Sequence, residues 1–292
     1  MKVPCVEIAH LLKKVLKERA GRLKKKGVHP KLTTFLAGDS KEQFSFVSIK
    51  KKVAGEIGVK FEFVHLKKIP PFVEFVNLLR DKAQDPTITG IIIQQPLPAH
   101  LHTATIYNFI PPEKELERHR DKSPHLPPLG LAVLTVLKYI FQKGKASKNL
   151  VIAPQEDTSF FKQVFKHKKI VLVGRGLTGG IPIGKTLSEF KINFININSR
   201  TSNKEQYYRE ADIIVTAVGK KILTPDVIKQ GVILINAGLR KEGNRLKGDY
   251  DESEIKNTAS YYTETPKGIG PLDVLYLYKN LLDAAEMQKR SR

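Results

Sequence analysis

The chain has 292 residues, enough for two compact domains, and its 41% hydrophobic content falls in short bursts, none long enough to span a bilayer. A formal net charge of +21 raises nucleic acid, anionic membranes and phosphorylated ligands as partners, but the lysines are scattered as on solvated helix faces, not gathered in one basic tail. The first residues lack an apolar segment with a small-residue cleavage site, and Cys5 as the single cysteine excludes an intramolecular disulfide; the expectation is a cytoplasmic protein without membrane or nucleic-acid partners.

Apolar side chains at Ile8, Leu11, Leu12, Val15, Leu16 and Leu23 recur at three-and-four spacing and predict a helix over 6–23. A strand over 32–37, a helix over 42–57, a strand over 59–64, a helix after Pro70-Pro71 and a strand over 88–93 follow. This alternation predicts parallel strands with crossover helices, because parallel neighbours cannot be joined by tight hairpins. Ligands then bind outside the carboxyl ends of the strands. That rule makes Gly38-Asp39-Ser40 and Gln94-Gln95-Pro96-Leu97-Pro98 two sides of one cleft.

A proline-rich, charged passage over 111–128 reads as an interdomain connection, and a helix over 132–141 follows it. Residues 144–169 read as irregular, a surface insertion with a short helix at 159–165. A second alternating series begins at Lys169, with strands over 170–173, 192–197, 212–218 and 232–236 and a helix over 182–190. The closing helix, 271–287, carries Leu272, Leu275, Leu281 and Leu282 and is expected to pack back on the first domain. The fold class is therefore α/β with two domains, an N-terminal parallel-sheet domain and a Rossmann-like one.

Gly174-Arg175-Gly176-Leu177-Thr178-Gly179 has GxGxxG spacing between a buried-type strand and a helix, the context of a dinucleotide site. Glycines let the backbone approach a pyrophosphate at the helix N-terminus. The strand that follows ends in Asn198-Ser199-Arg200-Thr201 and offers no carboxylate for a ribose 2′-hydroxyl. Arg175, Ser199 and Arg200 suit a 2′-phosphate instead, which points to NADP. Phe46 and Lys50 lie one helical turn apart on one face; spacing alone favours a solvated Lys50, the first of three lysines. His100 and His102 have no partners at metal-ligand spacing, and no metal is expected.

These segments together resemble the bifunctional methylenetetrahydrofolate dehydrogenase/cyclohydrolase family. The match covers most of the chain and is anchored on GIIIQQPLP from Gly90, GRGLTGGIP from Gly174, Asn198 to Thr201, ADIIVTAVGK from Ala211, and Pro266 to Pro271. It implies oxidation of 5,10-methylenetetrahydrofolate with NADP and hydrolysis of the methenyl product to 10-formyltetrahydrofolate. A cyclohydrolase-only or dehydrogenase-only member is the alternative, and a non-enzymatic basic nucleotide- or nucleic-acid-binding protein on the same scaffold is the alternative of another class.

The resemblance makes Lys50 the catalytic lysine, Gln94 its hydrogen-bond partner, and Glu117 the counterpart of the aspartate that pairs with the pterin. Phe46 replaces a tyrosine that stacks on the substrate, and Arg118 replaces a glycine. Pro96, Leu97, Gly268 and Pro271 are implied to contact the folate; Gly174, Arg175, Gly176, Thr178, Gly179, Ser199, Arg200 and Leu239 are implied to hold NADP. Asn236 stands where the family has aspartate. The implied domains are 1–126, completed by 271–292, for folate and 127–270 for NADP, with the insertion at 144–169. A homodimer is implied as well.

Overall fold

A computed structural model of the chain describes residues 1–103, 105–120, 122–243 and 245–290. In chain order its principal elements are α1 (Cys5–Lys25), β1 (Lys31–Ala37), α2 (Lys41–Ile57), β2 (Lys60–Leu66), α3 (Phe72–Gln84), β3 (Gly90–Ile93), α4 (Pro128–Phe141) and α5 (Pro154–Phe165). They continue as β4 (Ile170–Val173), α6 (Gly180–Glu189), β5 (Ile195–Ile197), α7 (Lys204–Glu210), β6 (Ile213–Thr216) and β7 (Ile233–Asn236). Last come β8 (Arg240–Glu242), β9 (Arg245–Lys247), α8 (Glu252–Ile255), β10 (Tyr261–Tyr262) and α9 (Gly270–Arg290). Among the described residues no helix is long and apolar enough to cross a membrane. The chain divides into two compact units, one of Met1–Leu12 and Pro127–Asp273, the other of Lys13–Leu126 with the chain from Val274 onward.

The unit from Lys13 holds a three-stranded parallel sheet, β2-β1-β3. Its central strand, β1, is buried at every position after Lys31, as a strand covered on both faces must be. Phe35, opposite Val64 and Ile93 in register, meets Phe75 of α3 edge to face at 6.0 Å. The carboxyl ends of all three strands lie at one edge. There Gly38 turns the chain into α2, whose N-cap Ser40 accepts from the amide of Gln43 at 3.4 Å. The late part of α9 closes this unit, as the apolar pattern of 271–287 requires. Asn280 Nδ2 donates to the carbonyls of Leu116 and Leu126, both at 2.8 Å, and Arg19 of α1 pairs with Asp283 at 2.7 Å and Glu286 at 2.8 Å.

The other unit is built on a five-stranded parallel sheet, β10-β7-β6-β4-β5. From β4 the chain crosses to β5 on one side and then to β6 on the other, which makes the space between the ends of β4 and β6 the topological switch point. The first twelve residues group with this unit. Lys2 bridges Tyr262, Val3 N donates to Tyr262 O at 2.9 Å, and Tyr262 N donates to Met1 O at 3.0 Å. They satisfy backbone groups at the β10 edge of the sheet, a need that no side-chain pattern advertises. Cys5, just beyond, is 2% exposed. Burial, with the charges of Glu264 and Glu7, pushes its thiol up to about 12.

Residues 144–149 and 166–169 are exposed, as a surface segment requires, but the stretch between them is not irregular. It includes α5, which begins at Pro154 rather than 159. Phe161 is wholly buried, stacked on Phe165 at 5.6 Å and edge-on to Phe190 at 5.6 Å. Asp157 pairs with Lys138 of α4 at 2.6 Å, each side chain only 6% exposed. Removing one partner of such a pair would strand a buried charge, so α5 is part of the core. Gly130 brings α4 against α6, for an added Cβ would stand 2.0 Å from Thr186 Oγ1.

The C-terminal end of α6 illustrates local strain. Lys191 has φ +56° and exposes its side chain, while its amide and that of Ile192 donate to Ser188 and Leu187, both at 3.0 Å. Glycine adopts this left-handed geometry freely. Lys191→Gly is expected to raise stability by about 0.5–1 kcal/mol, read as a higher urea midpoint at unchanged slope; a lower midpoint would contradict the strain argument.

Candidate active site

In the three-stranded unit α2 presents Lys50 and, one turn earlier, Phe46, both half-buried. Lys50 Nζ donates to Gln94 Oε1 at 2.7 Å. Gln94 follows β3 directly, and its amide donates to Phe35 O at 2.8 Å, continuing the ladder with β1. Its side-chain Nε2 donates to Gln95 O at 2.9 Å, which aims the oxygen at the lysine. Tyr278 Oη of α9 donates to Lys50 O at 2.5 Å and fixes the backbone beneath the ammonium.

The loop beyond Gln94 contains a cis Gln95–Pro96 peptide. Gln95 Oε1 accepts from Leu97 N at 3.0 Å and its Nε2 donates to Tyr107 Oη at 2.7 Å. Gln43 Nε2 donates to Pro96 O at 2.7 Å and ties the loop to α2. Leu97 is buried in the core and Pro96 is exposed. Gln43, Tyr107 and Tyr278 escaped the sequence reading. Gln43 had a signal, since residues 43, 46 and 50 share one helix face; the tyrosines had none.

Glu117 lies just after the Ile91–Glu115 bridge. Burial disfavours its ionisation, but the imidazole of His119, whose Nε2 is 3.6 Å from the carboxylate, and the charge of Lys50 outweigh that and hold it below the ordinary carboxylate range. Glu115, buried beneath, accepts from the amides of Glu117 at 2.9 Å and Arg120 at 3.3 Å; its own burial pushes its carboxyl up. Arg118 has φ +57°, so arginine occupies a left-handed backbone that glycine would adopt without strain. The unit thus offers an ammonium on an amide oxygen, an aromatic ring, and a carboxylate kept ionised. These can move a proton at a bound ligand and accept from its donor edge.

In the five-stranded unit β4 runs into Gly174, at φ +119°, where an added Cβ would stand 2.5 Å from Ala217 O beyond β6. Only glycine permits this close approach at the switch point. Gly174 N donates to Ile197 O at 2.8 Å, and Gly179 N to Gly176 O at 3.2 Å. Arg175, Gly176 and Thr178 are exposed at the N-terminus of α6, with open space around the Cβ position of Gly176. Arg175 Nε donates to Asn196 Oδ1 at 2.6 Å, which lays the guanidinium over the end of β5. There Arg200 N donates to Asn198 Oδ1 at 2.8 Å, leaving the side chains of Ser199 and Arg200 exposed, and Lys204 Nζ reaches Ser199 O at 3.3 Å. The cradle, helix terminus and three cations fit a phosphorylated dinucleotide.

The loop after β6 is held from below. Asp249, wholly buried, accepts from the amides of Val218 at 2.9 Å, Gly219 at 2.8 Å and Lys220 at 3.0 Å. Burial pushes its carboxyl up against the opposing pull of these amides. Asn236 Oδ1 accepts from Asp249 N at 2.9 Å and Thr216 Oγ1 at 3.0 Å, while Nδ2 donates to Gly238 O at 2.7 Å and Thr265 Oγ1 at 2.8 Å. A carboxylate could not make the bond to a carbonyl, which accounts for asparagine here. Leu239, exposed, has its carbonyl 2.9 Å from where a Cβ on Gly219 would stand, so it borders the same loop. Gly268 and Pro271 belong to this unit too; a Cβ on Gly268 would meet Glu264 O at 2.2 Å.

Two family models match the chain. That for the catalytic domain of tetrahydrofolate dehydrogenase/cyclohydrolase covers residues 4–117, and that for its NAD(P)-binding domain covers 159–289. The bifunctional protein FolD of Staphylococcus aureus (strain JH9) is 31% identical over 285 residues, 97% of this chain and 96% of that protein. The crystal structure of the FolD methylenetetrahydrofolate dehydrogenase/cyclohydrolase from Campylobacter jejuni superposes with TM-score 0.86 at 26% identity, over 98% of this chain and 99% of its own. The Trypanosoma brucei methylenetetrahydrofolate dehydrogenase-cyclohydrolase, solved with NADP cofactor and inhibitor, shares the fold at TM-score 0.82 and 24% identity, over 97% and 96% of the two chains.

Proposed function

Because the chain belongs to the tetrahydrofolate dehydrogenase/cyclohydrolase family, we propose that it oxidises 5,10-methylenetetrahydrofolate with NADP and hydrolyses the methenyl cation formed to 10-formyltetrahydrofolate. The observation that carries this reading is the Lys50–Gln94 hydrogen bond of 2.7 Å beside a carboxylate kept ionised. NADP supplies the hydride acceptor when bound.

Glu117 accepts from the donor edge of the pterin, and Phe46 packs its ring on the substrate. Pro96 and Leu97 border the folate from the loop after β3. In the hydrolytic step a water oxygen bonds to the cationic carbon, a ring carbon–nitrogen bond breaks, and the water's spare proton must leave. Lys50 orients that water and handles the proton, held in place by Gln94. Gly174, Gly176, Thr178 and Gly179 bring backbone to the pyrophosphate, Leu239 borders the nucleotide, and Arg175, Ser199 and Arg200 take the 2′-phosphate. Folate binding is assigned to the three-stranded unit and nucleotide binding to the five-stranded one; a homodimer in the cytoplasm completes the proposal.

The test follows methenyltetrahydrofolate absorbance in the purified protein given methylenetetrahydrofolate and NADP, and separately the decay of added methenyltetrahydrofolate. Formation and decay are expected, with NADP binding more tightly than NAD. Decay alone would leave a cyclohydrolase, formation alone a dehydrogenase. Neither, with salt-sensitive binding to unrelated DNA, would replace the enzyme by a basic binding protein.

A further inference from the structure

We propose that His119 is a positioning residue for the folate site, clamping the Glu117 carboxylate in the orientation that receives the pterin; this rests on the function proposed above. A glutamate has one more torsion to immobilise than the family's aspartate, and its ordering must be offset by a contact. His119 Nε2 stands 3.6 Å from Glu117 Oε2. The imidazole itself is fixed, stacked on Tyr107 at 4.1 Å between centroids and 18° between planes. Tyr107 in turn accepts from Gln95 Nε2 at 2.7 Å, and Gln95 is the neighbour of Gln94. The clamp is therefore anchored to the same loop that holds Lys50.

The titratable groups facing the imidazole are Glu117, Glu115 and Tyr107, with Lys50 acting on Glu117 from α2. Glu115 and Glu117 repel one another, and His119 counters both. The neighbouring Arg120 is directed elsewhere, its Nη1 donating to Ile110 O at 2.6 Å.

His119→Phe keeps a ring on Tyr107 and removes the partner of Glu117. The expected result is a rise of about tenfold in KM for methylenetetrahydrofolate, about 1.4 kcal/mol, with kcat and the KM for NADP within about twofold. The Glu117 carboxyl, followed by 13C NMR in labelled protein, should titrate at higher pH than before. In the Glu117→Gln background the substitution should have no further effect. An equal KM rise in both backgrounds, or an unmoved Glu117 titration, would overturn the proposal. Should His119→Phe fail to fold, His119→Gln carries the same titration. Absence of folate turnover in the unaltered protein would refute the proposed function alone, because the titration still decides the role of His119.

Discussion

Lys50→Met is expected to slow hydrolysis of methenyltetrahydrofolate by 10²–10⁴-fold, the range removed with a positioned proton-transfer group, equivalent to about 3–5 kcal/mol of barrier. Methionine keeps the length of the stem and loses only the ammonium. The Lys50 side chain is half-buried and its backbone is held independently by Tyr278, so thermal stability should change by no more than ~1 kcal/mol. Gln94→Leu should reproduce part of the loss, since it removes the acceptor that aims the ammonium. Stopped-flow decay of the methenyl band checks both variants. Retention of a tenth or more of the hydrolytic rate in Lys50→Met would sink the assignment.

Asp249→Ala should produce the largest loss of stability. Three consecutive amides, Val218 to Lys220, end on this one buried carboxylate, and alanine would leave them unpaired in a space that a side chain no longer fills. At about 1 kcal/mol or more for each buried donor left unmatched, incompletely additive, the expected cost is about 3–4 kcal/mol. A domain of this size then melts roughly 8–15 °C lower. The loop lies at the switch point, so NADP affinity should fall with it. Asp249→Asn, which retains an acceptor oxygen, should lose about half as much. Calorimetry of the two variants with and without NADP separates these effects, and a melting shift under about 3 °C for alanine would show that the loop is held by other means.

Most of the regular elements were legible because their causes are local. The three-and-four spacing of Leu12, Leu16 and Leu23 and the apolar run of 170–173 each report a period that a helix or a buried strand imposes. The Lys50–Gln94 contact was not legible from spacing, since residues 44 positions apart meet only once β1 and β3 are paired; the family resemblance supplied it. The helix at Pro154–Phe165 was read too short, and as surface, for a related reason. Phe161 is buried by Phe190 and Asp157 by Lys138, and without those distant partners a phenylalanine pair among lysines has no visible core to join. Strands β8 and β9 were missed because each is three residues long and rich in charge, which leaves no alternation to detect. The Glu117–His119 pair was half visible: the carboxylate stood out, but only the stack on Tyr107 gives the histidine a fixed direction.

Cys5 bears on how the protein can be handled at the bench. With its thiol buried and raised to about 12, almost none of it is thiolate at pH 8. Maleimides and mild oxidants therefore have almost nothing to attack in the folded chain. A single cysteine introduced on the surface would take up a fluorophore or a spin label alone, without first deleting the native one. Labelling at Cys5 itself would in turn report unfolding, since the thiol becomes reactive only when the unit around it opens.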